Sequence, residues 1–179
     1  DDFMSTPHAE FHVDDGGLEV RPAETTNGVF YRLDKSHTLS TGDEIRLGQE
    51  LLRMYFFPEE MCRNGGGVQA DVEGTVSLGS VLPEAVWGKL EQVLGPGAHG
   101  SVFLLAGDEV SIGREQGDVV FPKDGYVSGT HARIVHRDDH ASIEDLGSSN
   151  GTYVRLSDTR RLEDGDHILA GQQLLRVDL

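Results

Sequence analysis

The sequence predicts an all-β protein, a sandwich or barrel of short strands. Two observations carry that expectation. Short apolar segments alternate with turn signals along most of the chain, the pattern of closely spaced strands. The composition agrees, with 23 Gly and only 7% aromatic residues, as suits a turn-rich fold.

Taken in order, the first strands are expected at Ala9–Val13, Leu18–Val20, Val29–Leu33, Glu44–Arg46 and Leu51–Phe57. Asp14-Asp15-Gly16-Gly17, Thr26-Asn27-Gly28 and Ser40-Thr41-Gly42-Asp43 punctuate them as turns. Pro58 to Ser80 then changes character, with a Gly65-Gly66-Gly67 tract and few bulky apolar residues beyond Met61, Val68, Val72, Val76 and Leu78. That composition predicts a flexible linker. Leu82–Leu94 carries helical spacing at Trp87, Leu90 and Val93/Leu94, yet Gly95-Pro96-Gly97 behind it reads as a hairpin turn. Further strands are expected at Ser101–Leu105, Glu109–Ile112, Val119–Phe121, His131–His136, Ser142–Glu144, Thr152–Leu156, His167–Leu169 and Gln173–Val177.

An internal repeat organises these elements. Residues 1–54 align without a gap on residues 124–177, 123 positions later, and 18 of the 54 pairs are identical. Ser5-x-x-His8-Ala9 falls on Ser128-x-x-His131-Ala132, and Asn27-Gly28 on Asn150-Gly151. The position equivalent to Gly113-Arg114 would precede residue 1. The first copy therefore reads as the C-terminal half of a unit, 1–57, joined by a linker, 58–84, to a complete unit over 85–179. The chain begins Asp1-Asp2 without an initiator Met or signal-like segment, which reads as a fragment.

Composition narrows function. The formal net charge of −16 disfavours nucleic acid and anionic membrane as general partners. One cysteine, Cys62, excludes an intramolecular disulfide framework and fits a reducing, cytoplasmic setting. No apolar run approaches the length of a membrane-spanning helix.

Three groups carry the chemistry: Gly113-Arg114, Ser128-Gly129-Thr130-His131 and Gly147-Ser148-Ser149-Asn150-Gly151-Thr152. Each adjoins an alternating apolar segment, so the strands would bring an arginine, a serine and an asparagine to one end of a β-fold. A guanidinium fork, a hydroxyl and free backbone N–H groups suit a phosphate dianion, and an Asn amide suits a peptide backbone.

Ile112-Gly113-Arg114, Ser128-x-x-His131-Ala132 and Asp145-Leu146-Gly147-Ser148-Ser149-Asn150-Gly151-Thr152 resemble, in order and separation, the three motifs of the forkhead-associated (FHA) domain. The resemblance implies a β-sandwich of about eleven strands whose apical loops bind phosphothreonine peptides, and it favours a strand within Leu82–Leu94. It implies phosphopeptide binding by Arg114, Ser128, Ser149 and Asn150, with Gly113, His131 and Gly151 supporting the site and His131 mainly structural. Many members carry Arg, Lys or Asn directly after the motif serine. Here that residue is Gly129, so its phosphate contact is lost, with Lys123 as a candidate substitute. Ser5, His8 and Asn27 are degenerate first-copy counterparts, beside Thr6, Pro7 and Glu24.

Two rival constellations are weaker. His136 and His140, with Asp138 and Asp139 between, read as a hairpin turn rather than metal ligands. Ser128, His131 and Asp145 lack the nucleophile elbow of a hydrolase. The expectation is therefore a tandem FHA-type protein without cofactor or catalytic activity, similar to bacterial tandem members. It binds a threonine-phosphorylated partner in Ser/Thr kinase signalling. The alternative is a phosphate-independent interaction or assembly module, including dimerisation through the incomplete first copy.

Overall fold

Alternating apolar residues place one face of each short segment in a core, and turn residues reverse the chain between them. The computed structural model describes residues 1–63, 72–75, 79–138 and 140–179. The expected Gly65–Gly67 tract, Val68, Val76, Leu78 and Asp139 lie outside those residues. Sixteen strands and one short helix are described. They are β1 (Ala9–Asp14), β2 (Gly17–Pro22), β3 (Val29–Arg32), β4 (Ser36–Leu39), β5 (Glu44–Leu47), β6 (Glu50–Phe56), α1 (Glu59–Arg63), β7 (Val86–Gly95) and β8 (Ala98–Ala106). There follow β9 (Glu109–Gly113), β10 (Val119–Val120), β11 (Ala132–Arg137), β12 (His140–Asp145), β13 (Thr152–Arg155), β14 (Arg160–Leu162), β15 (His167–Ala170) and β16 (Gln173–Arg176). The fold is an all-β sandwich.

Every expected strand is present, including β7, where helical spacing had competed. Trp87 decides its setting. Its ring stacks on His136 at 4.3 Å between centroids and lies 5.7 Å from Phe56, and its indole N–H donates to the Gly107 carbonyl at 2.9 Å. Two strands are additions, β4 and β14. Helix α1, with Glu59 and Glu60 in its first turn, lies within the expected linker.

Strand pairing does not follow the division between residues 1–57 and 85–179. The eight-stranded sheet runs β16-β15-β3-β13-β5-β6-β7-β8, and a five-stranded sheet runs β10-β9-β11-β12-β4. A third sheet runs β1-β2-β14. Strands β4, β5 and β6 of the first copy thus complete a sandwich with β7–β13. Strands β14, β15 and β16 of the second copy serve β1–β3. Relative to the 1–57 and 85–179 division, the last three strands of each repeat are exchanged, pairing in the sheets of the other. The repeat permits it: β5–β6 and β15–β16 share Ile45/Ile168, Gly48/Gly171, Gln49/Gln172 and Leu51-Leu52-Arg53/Leu174-Leu175-Arg176, so either hairpin is suited to either place.

The exchange sets β3 against β13 at the centre of the large sheet, with Tyr153 opposite Arg32, Val154 opposite Tyr31 and Arg155 opposite Phe30. The 123-residue offset maps this register onto itself. A pseudo-twofold axis therefore passes between Tyr31 and Val154. The core runs through both sides of the axis, from Leu90, Leu105, Ile112, Ile134 and Ile143 to Ile45, Leu52, Met54, Val20 and Ile168.

The axis relates unequal surroundings. Strand β6 is covered by β7, and β11 by β9. The counterparts β16 and β1 are the open ends of their sheets. Ile134, Leu52 and Val127 are 0%, 0% and 1% exposed, whereas their equivalents Phe11, Leu175 and Met4 are 45%, 42% and 39% exposed.

Candidate phosphate-reading loops

Three loops meet at one end of the complete sandwich. They follow β9, precede β11 and join β12 to β13. Gly113 ends β9 against the second loop. A Cβ there would collide with the Gly129 carbonyl oxygen and lie 2.6 Å from that of Gln116. The absence of a side chain thus lets two backbones touch. The Arg114 N–H then donates to the Ser128 carbonyl at 2.9 Å, and the His131 N–H to that of Ile112 at 2.9 Å. Arg114 stands at the loop crest, partly exposed, with its guanidinium on the Glu115 carboxylate at 2.7 Å. An exposed pair of this kind contributes little, so the arginine can be recruited by a stronger anion. Asp118 does not hold it. Its carboxylate accepts from the Ser111 N–H and hydroxyl, and these bonds keep it below the usual carboxylate range.

His131 is fully buried and locks the second loop to the third. Its Nδ1 accepts the Ser128 N–H at 3.0 Å, which leaves Nε2 as the protonated nitrogen donating to the Gly151 carbonyl at 3.2 Å. Burial pushes the imidazole below its ordinary value, only partly opposed by the Gly151 carbonyl and Asp145. With both nitrogens held by backbone, the ring offers no base to the Ser128 hydroxyl, against the hydrolase constellation. The Ser128 Oγ instead accepts the Ser149 N–H at 3.1 Å, leaving its O–H to donate. Asn150 Nδ2 donates to the Tyr126 carbonyl at 2.7 Å, which retains one amide N–H and the Oδ1 for a ligand. Arg114, Ser128, Ser149 and Asn150 are therefore tied through neighbouring loop atoms.

Asp145, which opens the third motif without an expected role, and Asp124 are further supports of the site. Asp145 accepts from the N–H groups of Gly147 and Ser148 and from the hydroxyls of Ser148 and Thr152, at 2.7–2.9 Å. Burial raises its carboxyl, but these hydrogen bonds prevail and hold it below the usual range. Buried Asp124 accepts the Tyr126 N–H at 2.8 Å and, across the exchange, the Gln49 N–H at 2.6 Å. A signal for Asp124 was present, since Asp1/Asp124 and Gln49/Gln172 are identical pairs in the repeat. The same bond recurs between Asp1 and the Gln172 N–H at 3.0 Å.

The first copy reproduces the scaffold. Ser5 N–H donates to His8 Nδ1 at 3.0 Å, His8 Nε2 reaches the Gly28 carbonyl at 2.8 Å, and Asn27 Nδ2 donates to the Phe3 carbonyl at 2.9 Å. Thr25 replaces Ser148 in accepting the turn glycine N–H. Pro22 stands where Asp145 would be and Glu24 is exposed on the loop; the Arg155 guanidinium lies against this loop, donating to the Thr25 carbonyl at 2.8 Å while paired with Glu44 at 2.7 Å. Lys123 is exposed, and the space around Gly129 is open, with nothing within 4 Å of a Cβ placed there. His136 and His140 lie on the β11–β12 hairpin, opposite Ala141 and Arg137.

Comparison with known proteins identifies the family. The family model described as FHA domain matches residues 1–48 and 110–171. The chain is 35% identical over 100 residues to the oxoglutarate dehydrogenase inhibitor of Corynebacterium diphtheriae, covering 55% of this chain and 69% of that protein. It is 32% identical over 137 residues to the glycogen accumulation regulator GarA of Mycobacterium tuberculosis, covering 74% and 80% respectively. It is 34% identical over 93 residues to the E3 ubiquitin-protein ligase CHFR of Danio rerio, covering 48% of this chain and 14% of the ligase. With the family model spread over more than half of its length and the motif loops folded as described, the chain belongs to the FHA domain family.

Proposed function

We propose that the chain is a non-catalytic reader of threonine-phosphorylated protein segments, working in Ser/Thr kinase signalling in a bacterial cytoplasm. The observation that carries this reading is the tying together of Arg114, Ser128, Ser149 and Asn150 by loop hydrogen bonds at one end of the sandwich. A phosphate monoester brings about −1.5 to −2 charges near neutral pH. The Arg114 fork meets it with charge-assisted bonds of about 1.5–3 kcal/mol each. The Ser128 hydroxyl and Ser149 add neutral donors, and the free edge of the Asn150 amide holds the peptide backbone. Gly113, His131 and Gly151 hold the loops. No cofactor enters this reading. The relatives named as inhibitor and regulator support it by name. Among the described residues no helix is long and apolar enough to cross a membrane.

We read the chain as a tandem, with 1–57 and 85–179 as the copies in sequence and 58–84 joining them. Its working phosphate site is in the second copy. Ser5 and Asn27 offer only neutral groups, and Glu24 adds repulsion. Titration calorimetry with phosphothreonine and unmodified peptides tests this. One phosphopeptide should bind per chain. Arg114→Ala should weaken it at least 100-fold with an unchanged melting temperature, and Ser5→Ala should leave it intact. Two equivalent sites, or binding indifferent to Arg114, would refute the assignment.

A second reading has its own observation. The exposed Phe11, Met4 and Leu175 beside open strands β1 and β16 favour phosphate-independent assembly, including a dimer. Sedimentation of the unliganded chain distinguishes it, because a monomer across micromolar concentrations would exclude it.

A further inference from the structure

The strand exchange creates a surface that neither copy has alone. Residues directly opposite one another in the large sheet share a face, and its outer side carries two rows related by the pseudo-twofold axis. One row runs Leu174, Leu169, Phe30, Arg155, Glu44, Arg53. The other runs Arg176, His167, Arg32, Tyr153, Arg46, Leu51; Arg32 is level with His167 because their neighbours Tyr31 and Ile168 pair.

The rows differ at one decisive place. In the first, buried Glu44 neutralises two arginines, Arg53 at 2.6 Å and Arg155 at 2.7 Å. Burial raises the Glu44 carboxyl, but the hydrogen bonds from Arg53 and then Arg155 hold it below its usual range. In the second row the equivalent of Glu44 is His167. The side chain of Arg32, the equivalent of Arg155, makes no hydrogen bond or ion pair with another described residue. Arg176 reaches only Asp178, at 3.4 Å, and the Arg46 Nε is buried without a partner. Two arginines without a carboxylate partner among the described residues, Arg32 and Arg46, and the exposed Arg176–Asp178 pair thus line this row in a protein of net charge −16.

This row starts at the proposed phosphate loops. A Cβ on Gly151 would lie 3.0 Å from the Arg32 guanidinium carbon. Arg46 and Tyr153 share an open cleft of about 390 Å³ with Tyr126 and Asn150. From Arg46 to Arg176 the row spans four strand spacings, about 19 Å at ~4.8 Å each, the reach of about six extended residues.

We propose that this row is an extended docking site for an acidic stretch of the peptide ligand, Asp, Glu or a second phosphorylated residue within about six residues of the phosphothreonine. The proposal rests on the phosphopeptide reading for its register, and on the charge pattern alone for its acidic preference. It draws on both copies, with Arg32 and Arg46 from the first and Tyr153, His167 and Arg176 from the second.

Fluorescence anisotropy on the full chain tests it with three labelled peptides: phosphothreonine with an acidic flank, phosphothreonine with a neutral flank, and the acidic flank with unmodified threonine. At low salt the acidic flank should tighten phosphopeptide binding at least tenfold over the neutral one. Arg32→Gln and Arg46→Gln should each remove most of that gain while leaving the neutral-flank peptide unchanged, and added salt should shrink it. No gain from the acidic flank, or a gain untouched by both substitutions, overturns the proposal while leaving the phosphate site standing. If phosphate dependence is absent throughout, the phosphate reading falls. The third peptide then still reports on the row: binding lost in the two variants supports it, and no binding refutes it. A single-stranded oligonucleotide bound in preference to the acidic peptide, and lost in the same variants, would overturn the peptide assignment.

Discussion

The two copies hold the same histidine lock and the same asparagine clamp, yet differ in what covers them. Around His131 a full sandwich closes, with β7 on β6 and β9 on β11. Around His8 the equivalent strands β16 and β1 end their sheets. The histidine lock and asparagine clamp therefore rest on hydrogen bonds that each copy carries for itself, whereas core burial depends on strands that only one copy has. A preserved site scaffold is no evidence of a preserved site.

The most severe break of that comparison is in the core. Ile134→Ala and Leu52→Ala should each cost about 2–5 kcal/mol, as for buried aliphatic truncations. Phe11→Ala and Leu175→Ala should each cost under about 1 kcal/mol, because their surface is largely in water already. Chemical denaturation measures all four. Similar losses at paired positions would mean that the open face is covered in solution. Because both copies share the eight-stranded sheet, the wild-type chain should also unfold in one transition, not two.

The glycines give a smaller contrast. Gly113→Ala should cost about 1–3 kcal/mol and disturb phosphopeptide binding, since backbone atoms crowd the new methyl. Gly129→Ala should stay within about 0.5 kcal/mol. Thermal melts and binding of both variants check this.

Acid separates the copies in a third way. His131 is held below its ordinary value of 6.5. As pH falls through about 6.5 the unfolded chain takes up a proton that the folded chain refuses, and stability drops. Asp145, lowered from 3.8, contributes stability above that value that is lost as pH falls through its folded value. Its counterpart Pro22 cannot titrate. Melting temperature should thus decline below pH 6.5, and His131→Gln should flatten the upper part of that decline.

The smallest effect concerns the space at Gly129. Gly129→Arg should tighten phosphothreonine binding several-fold, by about 1 kcal/mol, through an added charge-assisted bond. Unchanged affinity in calorimetry would place the phosphate away from residue 129.

Periodicity revealed the strands whose inner faces are apolar, and the three motifs revealed the loops. Strands β4 and β14 carry little periodic signal because they are equivalent polar edge strands of two different sheets, Ser-His-Thr-Leu and Arg-Arg-Leu, with only Leu39 and Leu162 buried. The exchange was illegible for a different reason. Ile45 and Ile168, or Gly48 and Gly171, carry the same local instruction, and partner choice depends on how the intervening chain connects them. The repeat pairs Asp124 with Asp1 but does not mark it as a support of the site, because its partner Gln49 lies 75 positions away and enters only through the exchanged hairpin.

The exchange also changes what a cut in the chain would do. In two units arranged side by side, severing the connection between Phe57 and Ala85 would release two particles. Here the first fragment would keep β4, β5 and β6 inside the second fragment's sandwich, and the second would leave β14, β15 and β16 clasped by the first. Each piece holds strands the other needs. A nicked molecule would travel as one particle and separate only on denaturation, and separately expressed pieces would have to find each other before either could assemble the Asp124–Gln49 brace beneath the binding loops.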